Sequence, residues 1–434
     1  MQEIHLRSTY NIRQILGHLK TKSLALKLGA CKRKDRKFSV VDILLSYWQL
    51  IPLRQFSYDN WASQISSLTG KVVSGQSVCK RMNSSMIIFL KELLKKSFKQ
   101  KCDTLFDSAL FKFFPNVYIQ DATHFSLPRI LSYTFPGSYS KYGESATAKI
   151  QATFNLKRGL FSGFQLFSFR DNDQKDSPKI ITQLNSGDLV IRDLGYFVLK
   201  VFISIQEKGA YFLSRYKFGT SLYDNKTGAK IDLLKTLRKK GYIDSEVKMG
   251  SKQKISCRLV AVALPEKVVA ERRRKAKTDR NKKANHSNQY IELLGYSIYI
   301  TNVPKQVWSA EQIVKAYRIR WYIEILFKGW KSNLKMRINI PERYLTKQRA
   351  EFFFYASLLM VNLLVMPLFT HAIKAGRKKH LSILKICEFI TQQLHAIVRT
   401  KKMDKLIDQA VYYGAYEKRV SRTNIAEYNI FDTC

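Results

Sequence analysis

The sequence changes its hydrophobic period near residue 116, and this change constrains the fold more than any other feature. Residues 1–115 lack strand alternation and predict helices. After residue 116, period-two alternation predicts strands at 116–121, at 147–171 (two strands around "KRG") and at 187–197. "SPKIITQL" (177–184) has Pro directly after a Ser N-cap and predicts a helix. The predicted order is therefore strand, strand, strand, helix, strand.

That order matches the start of the RNase H-like fold, where a hairpin precedes a right-handed helical crossover to a parallel strand. We therefore expect an α/β protein with an RNase H-like core, a β-rich insertion and helical regions at both ends. The expected segments are a helical region at 1–115, the first part of the core at 116–205, the insertion at 206–300, the second part of the core at 301–369 and a helical region at 370–434.

The net charge of +42, from 75 Lys and Arg against 33 Asp and Glu, indicates a polyanionic partner. Each phosphate that a basic side chain neutralises releases condensed counterions, so DNA or RNA fits this charge. An anionic membrane surface is the alternative, but the basic residues are spread along the whole chain. The six cysteines lack metal-ligand spacing and predict reduced thiols, and "MQEIHLRSTYNIRQIL" lacks the apolar core of a secretory signal.

One apolar run, "FFFYASLLMVNLLVMPLF" (352–369), has the length of a short membrane span. It contains Asn362 and Pro367, and no second run accompanies it. A helix buried in a large core therefore fits this run better than a membrane span does. We expect no membrane as a partner.

The N-terminal stretch 58–82 predicts a helix, a short turn with glycine, and a second helix with Ser74 as its N-cap. This pattern fits a DNA-binding helix-turn-helix, and a plain hairpin of two helices fits it equally well. In the DNA-binding interpretation, the candidate contacts to DNA are Gln76, Ser77, Lys80 and Arg81. A second basic stretch, 266–287, predicts an exposed loop.

Near the other end of the core, "SAEQ" (309–312) is a capping box that opens a long helix, which must end before Pro341. On one continuous helix, five polar residues would share one face, and the apolar residues between them would pack on a sheet. The polar residues are Tyr317, Arg320, Glu324, Lys328 and Lys331, and the apolar ones are Ile319, Ile323, Leu326, Phe327 and Trp330.

Three carboxylates in this arrangement have a chemical reason to converge. Asp121 and Asp193 end two predicted strands, and Glu324 lies on the polar helix face. Acids that cluster without a metal repel one another, so their clustering implies a cation. Two divalent ions activate the attacking oxygen and stabilise the leaving oxygen of a phosphodiester, and Mg²⁺ prefers such oxygen ligands. Arg320 and Lys331 could then bind the flanking phosphates.

The blocks "YIQDATHF", "VIRDLGYF" and "YRIRWYIEILFKGWK" resemble three blocks of the DDE transposases of insertion sequences. The third block fits the Y-x2-R-x3-E-x6-K pattern of the insertion sequence four family without a gap, and "LLGYSIYITNVP" resembles the strand that leads to its Glu helix. The resemblance covers about residues 30–345. It implies that Asp121, Asp193 and Glu324 are the catalytic metal ligands, and that Tyr317, Arg320 and Lys331 bind DNA phosphates.

The resemblance further implies a cut-and-paste transposase in the bacterial cytoplasm, associated with the nucleoid. Such an enzyme would use two Mg²⁺ ions, with Mn²⁺ as a substitute, and would act as a homodimer on double-stranded DNA, both element ends and target. It would bind terminal inverted repeats, nick the strand end with water, form a hairpin, open it and insert the element into target DNA. In this family an aromatic residue, usually Trp, stacks on a base extruded at the hairpin. The nearest aromatic here is Tyr296, with Tyr299 as the alternative, and ordinary strand aromatics remain an equal interpretation of both.

Two other classes are compatible with parts of the sequence. A generic RNase H-like nuclease or resolvase would share the three acids but would not need Arg320, Lys331 or an insertion of this size. A DNA-binding protein without activity would be expected to lack one of the acids, and all three are present.

Overall fold

The computed structural model describes residues 11–32, 37–53, 56–100, 109–141, 143–279, 287–334, 336, 345–376, 381–400 and 403–415. The chain divides into two compact units. The first unit comprises Met1–Asp107, Asp121–Asp171 and Tyr322–Cys434, and the second comprises Ser108–Gln120 and Asn172–Trp321.

The α-helices are α1 (Ile12–His18), α2 (Thr21–Lys27), α3 (Val40–Leu50), α4 (Tyr58–Thr69), α5 (Gly75–Cys79), α6 (Ser84–Ser97), α7 (Asp173–Asp176), α8 (Leu199–Glu207), α9 (Leu233–Lys240), α10 (Glu266–Lys277), α11 (Asn288–Leu293), α12 (Ala310–Arg318), α13 (Trp321–Ser332), α14 (Lys347–Met360), α15 (Met366–Ala375), α16 (Ile383–Arg399) and α17 (Asp404–Gly414). The strands are β1 (Val117–Leu127), β2 (Pro136–Ser140), β3 (Gly143–Asn155), β4 (Leu160–Ser168), β5 (Leu189–Arg192), β6 (Tyr211–Arg215), β7 (Leu222–Asp224), β8 (Ile243–Met249), β9 (Ile255–Ala263) and β10 (Tyr296–Thr301). The chain is therefore a mixed α/β protein, as predicted.

The N-terminal region is helical throughout its described residues, as the sequence predicts. α4 ends at Gly70, whose φ of 70° lies in the left-handed region that glycine adopts without strain. Ser74 caps α5, its hydroxyl accepting from the Ser77 amide, so the predicted helix, turn and cap are confirmed. Asn83 then accepts a bond from the Met86 amide and begins a separate helix, α6.

In the first unit, β3 and β4 form the predicted hairpin around "KRG". β2 pairs with the start of β3 and was not predicted. The apolar run 352–369 lies in α14, a π-helical segment at Val361–Val365 and α15. These elements form one helix, Lys347–Ala375, that is long and apolar enough to cross a membrane, and its most apolar window is wholly buried. That burial supports the interpretation as a core helix.

Asn362 explains why a polar residue is tolerated inside this helix. Its side chain is fully buried, accepts a hydrogen bond from the Phe161 amide at 2.9 Å and donates one to the Ser97 hydroxyl at 3.0 Å. The π-helical segment ends just before Pro367, whose ring would otherwise clash with the preceding helical turn. The two sequence features that argued against a membrane span therefore have structural roles.

The second unit is built on a sheet with the strand order β1-β5-β6-β10-β9-β8-β7. β1, β5 and β6 are parallel, and the strands from β10 to β7 are antiparallel. One face packs into an apolar core that includes Tyr118, Val190, Phe202, Phe212 and Leu259. The parallel pairing of β1 and β5 agrees with the predicted crossover. The predicted helix at 177–184 is instead a short α7 followed by a 3-10 helix at Ser177–Gln183.

The prediction of an exposed loop at 266–287 is wrong for its first part, which forms α10. Alanine, lysine, arginine and glutamate favour helices, and Glu271 and Lys275 form an ion pair one turn apart. Arg274, Lys275 and Lys277 lie in the last turn, where the helix dipole favours cations. Part of the predicted loop, residues 280–286, lies outside the described residues.

The predicted long helix from "SAEQ" is two helices, so the prediction of one continuous polar face is wrong. Ser309 and Gln312 form the predicted capping box, and α12 ends at Arg318. The amides of Ile319 and Arg320 then bond to carbonyls three residues earlier, which tightens the chain before α13 begins. The apolar residues predicted to pack inward are all buried, namely Ile319, Ile323, Leu326, Phe327 and Trp330.

The described part of 370–434 contains the helices α16 and α17, while residues 416–434 lie outside the described residues. Four of the six cysteines, Cys31, Cys79, Cys257 and Cys387, are reduced and not in disulfide bonds. Cys102 and Cys434 lie outside the described residues.

Candidate active site

The parallel strands β1 and β5 determine where two of the predicted acids leave the sheet. Gln120 and Arg192 are register partners on these neighbouring strands. Asp121 directly follows Gln120 in the chain, and Asp193 directly follows Arg192. Asp193 caps a 3-10 helix at Leu194–Tyr196, where its side chain accepts from the Gly195 amide at 3.4 Å. Asp193 therefore stands just beyond the carboxyl end of β5, where active-site residues of parallel sheets commonly lie, whereas Asp121 lies within β1, which continues to Leu127.

Arg320 forms an ion pair with Asp193, because its Nε atom lies 3.7 Å from Asp193 Oδ1. The Arg320 side chain is only 7% exposed, whereas that of Asp193 is 39% exposed. The guanidinium also lies over the rings of Tyr317 and Trp321, 5.8 and 5.5 Å from their centroids. The two rings and the carboxylate thus hold a buried cation beside an accessible acid.

Tyr317 is buried beneath this pair. Its hydroxyl donates to the main-chain carbonyl of Arg192 at 3.4 Å, and burial raises its pKa to about 12. The guanidinium of Arg215 lies 5.5 Å from its ring centroid. Tyr317 therefore contacts the backbone just before Asp193.

Arg192 is a functional candidate that the sequence reasoning missed. Its side chain is fully buried, and its Nη2 atom donates to Gln120 Oε1 at 2.9 Å, to the Ser177 carbonyl at 2.9 Å and to Ser177 Oγ at 2.6 Å. Burial lowers its pKa to about 9, and Asp176 partly offsets this effect. The available signal was an arginine inside the otherwise apolar strand "LVIR".

The third predicted acid, Glu324, lies on α13 in the first unit and is half-buried. α13 packs on the sheet of this unit, with the Trp330 ring 5.0 Å from Phe161 and the Tyr322 ring 5.5 Å from Phe154. Further along the helix, the Nζ atom of Lys331 lies 5.5 Å from the centroid of Phe125, a residue of β1. α13 therefore connects to the same strand that carries Asp121.

The other predicted residues have varied surroundings. Tyr296 is half-buried against the core of the second unit, and its carbonyl accepts a bond from Arg272 at 3.3 Å. Tyr299 is buried, with its ring 5.1 Å from that of Tyr317. Neither tyrosine is an exposed strand aromatic.

The four N-terminal candidates lie on and just after the short helix α5. Gln76 and Lys80 are exposed. The Ser77 hydroxyl donates to the Ser74 carbonyl at 2.7 Å. Arg81 donates to the Ala30 carbonyl at 3.3 Å, and its guanidinium lies 5.3 Å from the Phe38 ring centroid. Arg81 therefore also has a role in packing.

In the described part of the chain, no group of three or more His, Cys, Asp or Glu side chains is close enough to hold a metal ion. The structure thus brings Asp193, Arg320 and Tyr317 together within the second unit, and Lys331 beside β1 within the first.

Comparison with known proteins defines the class. The family described as "Transposase DDE domain" matches residues 112–363, which is more than half of the chain. This range includes Asp121, Asp193 and Glu324. The chain therefore belongs to the DDE transposases, enzymes that cut DNA and transfer strands.

Its relatives are transposases of insertion sequences. The transposase for insertion sequence element IS231D of Bacillus thuringiensis subsp. finitimus is 32% identical over 86% of this chain and 82% of its own length. The transposase for insertion sequence element IS231F of Bacillus thuringiensis subsp. israelensis is 30% identical over 88% of this chain and 86% of its own length. A cryo-EM structure of the piggyBac transposase synaptic complex with hairpin DNA covers 96% of this chain and 88% of its own, at 8% identity and a TM-score of 0.46, which is too distant to support an argument.

Proposed function

We propose that the chain is the transposase of an insertion sequence and moves that element by a cut-and-paste route. It binds the terminal inverted repeats, cuts the strand ends with water, forms and opens a hairpin, and joins the ends to target DNA. Asp121, Asp193 and Glu324 are the catalytic metal ligands. The core that carries them is RNase H-like.

The observation that carries this proposal is the register pair Gln120–Arg192. Two acids directly follow a single register pair on parallel strands, and Arg320 stands beside the second acid. A cation beside a metal-binding carboxylate suits a site for phosphate oxygens, which need both metal and arginine as partners. Family membership over residues 112–363 supports the same assignment.

The contact of Lys331 with Phe125 supports the assignment of Glu324. Glu324 precedes Lys331 by two helical turns, about 10 Å, and Asp121 precedes Phe125 by four strand residues, about 13 Å. A helix that runs in the same direction as the strand would therefore bring Glu324 near Asp121.

DDE transposases generally use divalent metal ions, and we propose two Mg²⁺ ions here, with Mn²⁺ as a substitute. The proposed donors are three carboxylates, whose hard oxygen atoms are the ligands that Mg²⁺ prefers. When bound, the ions would supply charge stabilisation at the attacking and leaving oxygens. The protein's own residues would fix the carboxylates, and Tyr317 would hold the backbone before Asp193.

The proposal also assigns a role to each segment of the chain. Residues 1–115 bind the element ends through Gln76, Ser77, Lys80 and Arg81, and residues 370–434 support a homodimer on DNA. The core lies at 116–205 and 301–369, with the insertion at 206–300. The enzyme acts in the bacterial cytoplasm at the nucleoid, where the net charge of +42 favours DNA.

Loss of Arg320 or Lys331 should impair late steps more than the first nick. We expect Arg320→Ala and Lys331→Ala to slow hairpin formation and strand joining by about ten- to a hundredfold, the usual effect of losing a charged hydrogen bond. The first nick should change by less than about threefold. The exposed neighbours Arg318→Ala and Lys328→Ala are matched controls. Single-turnover assays on prenicked and intact DNA separate the steps, and equal losses at every step would indicate a structural role.

Tyr296 is expected to stack on the extruded base. Tyr296→Ala should then permit the first nick and slow hairpin formation by about ten- to a hundredfold, since base–aromatic stacking is worth about 1–3 kcal/mol. Tyr296→Trp should match the wild type, and an abasic position at the DNA end should rescue Tyr296→Ala. Because Tyr296 packs on the core, Tyr296→Leu controls for lost packing. A normal hairpin yield from Tyr296→Ala would exclude this role.

A further inference from the structure

Beyond the proposed site, the segment that follows β1 presents aromatic rings to solvent. We call residues 129–141 the tongue; it contains a 3-10 turn at Arg129–Leu131 and β2. Tyr133 is 98% exposed, Tyr139 78% and Ile130 68%. Large apolar groups concentrated on one exposed segment are typical of a binding surface.

Several contacts tie the tongue to the neighbouring strands although its tip is exposed. Arg170 donates to the Gly137 carbonyl at 3.2 Å and pairs with Glu144 at 2.5 Å. The Ser145 hydroxyl donates to the Ser138 carbonyl at 2.9 Å, and a Cβ atom at Gly137 would lie 2.5 Å from Ser145 Oγ. The tyrosines therefore extend from a fixed backbone and lose little freedom on binding.

The charge of the tongue favours an anionic partner. Arg129 and Lys141 are exposed, and the Arg129 guanidinium packs against Gly143, whose φ of 95° requires glycine. Glu144, which follows the tongue closely in the chain, pairs with Arg170. Aromatic faces between cations fit a nucleic acid strand, because the rings stack on bases and the cations bind phosphates. A duplex hides the faces of its bases, so unpaired bases are the better match.

We propose that the tongue binds unpaired bases of the DNA strand on which Asp121 acts, with Tyr133 and Tyr139 stacked on the bases and Arg129 and Lys141 on the phosphates. This inference rests on the proposed function, because the β1 segment that begins at Asp121 leads directly into the tongue. The tongue would thus hold a strand that separates from its partner near the cut. It is a different binding surface from the insertion aromatic, Tyr296.

The test uses the full-length protein without divalent metal and a single-stranded 20-nucleotide thymidine oligomer that carries 5-iododeoxyuridine. Moderate salt weakens the phosphate contacts made elsewhere on this basic chain. We expect Tyr133→Ala with Tyr139→Ala to lower affinity for this oligomer by about ten- to a hundredfold. Tyr133→Phe with Tyr139→Phe should keep wild-type affinity, because the rings remain. Ultraviolet crosslinks should map to Tyr133 or Tyr139.

Two exposed tyrosines on α17 provide the matched control. Tyr412 is 71% exposed and Tyr413 is 59% exposed, and the pair Tyr412→Ala with Tyr413→Ala should leave oligomer binding unchanged. Affinity for a random 20-base-pair duplex should change by less than about threefold in every variant. Asp121→Asn should bind the oligomer with wild-type affinity. A wrong assignment of Asp121 as a metal ligand would therefore change cleavage, whereas a wrong assignment of the tongue would change the expected oligomer binding.

Three results would overturn the inference. The first is unchanged oligomer affinity in the tongue alanine pair, and the second is an equal loss for duplex and oligomer. The third is a change from dimer to monomer in light scattering without DNA, which would make the tongue an interface between two copies of the chain.

Discussion

Asp121→Asn, Asp193→Asn and Glu324→Gln are each expected to reduce DNA strand cleavage at least a thousandfold. Losing one carboxylate removes a metal ligand, and the charge stabilisation that a metal supplies is worth several kcal/mol at the transition state. Binding of element ends should change by less than about threefold, because affinity rests on many basic contacts. Cleavage of end-labelled DNA in Mg²⁺ and a parallel gel-shift titration measure the two quantities.

Controls for these variants come from two acids that are not proposed as metal ligands. Asp173, near Gly195, and Glu311, on the exposed side of α12, lie outside the proposed ligand set. Asp173→Asn and Glu311→Gln should cut DNA at nearly the wild-type rate. Wild-type cleavage by any one of the three site variants would remove that residue from the proposed ligand set.

Arg192→Met is expected to lower the free energy of unfolding by about 1–3 kcal/mol, the usual cost of leaving buried hydrogen-bonding groups unsatisfied. The change leaves Gln120 and Ser177 without their guanidinium donor. Urea denaturation of the purified protein measures the loss. Arg318→Met, at an exposed position on the neighbouring α12, should change stability by less than about 0.5 kcal/mol.

The same variant tests whether Arg192 positions the active site. Gln120→Leu combined with Arg192→Met removes both polar partners, and it should recover part of the stability because fewer buried groups remain unpaired. Cleavage should stay impaired in the double variant, since the backbone before Asp193 loses its anchor to Ser177. Equal stability of Arg192→Met and Arg318→Met would contradict the account of this network.

The sequence predicts the regular elements well where hydrophobic period decides them. The β3–β4 hairpin, the strands β1 and β5, the buried helix at 352–369 and the capping box at Ser309 all follow from local pattern and capping chemistry. Each of these signals depends only on residues near one another in the chain.

The features that were missed depend on tertiary contacts. β2, "PGSYS", has no apolar alternation and exists because it pairs with β3. The break between α12 and α13 contains neither Gly nor Pro, so the local sequence has no helix-breaking residue that would predict it. Arg192 is stabilised by groups from β1 and from the 3-10 helix after α7. These groups are too far from Arg192 in the chain for the neighbouring sequence to predict the contacts.

The candidate site residues follow from the resemblance to the family's sequence blocks, and the hydrophobic period alone would not identify them. The sequence predicts that Asp121 and Asp193 follow strands, which the structure confirms for β5 and Asp193; Asp121 instead lies within β1, which continues to Leu127. It could not predict that Tyr317 and Arg320 are buried, because a polar helix face normally predicts exposure. Their burial follows from the close contacts with Arg192 and Asp193.

The central claim is metal-dependent cutting of the element's own ends. The direct measurement incubates the purified protein with labelled DNA that spans both flanks of its gene, with Mg²⁺ and with a chelator instead. The account predicts strand cuts at the element ends that appear only with Mg²⁺ and leave 3′-hydroxyl termini. Equal cutting in the chelator, or binding without any cut in Mg²⁺ or Mn²⁺, would contradict it.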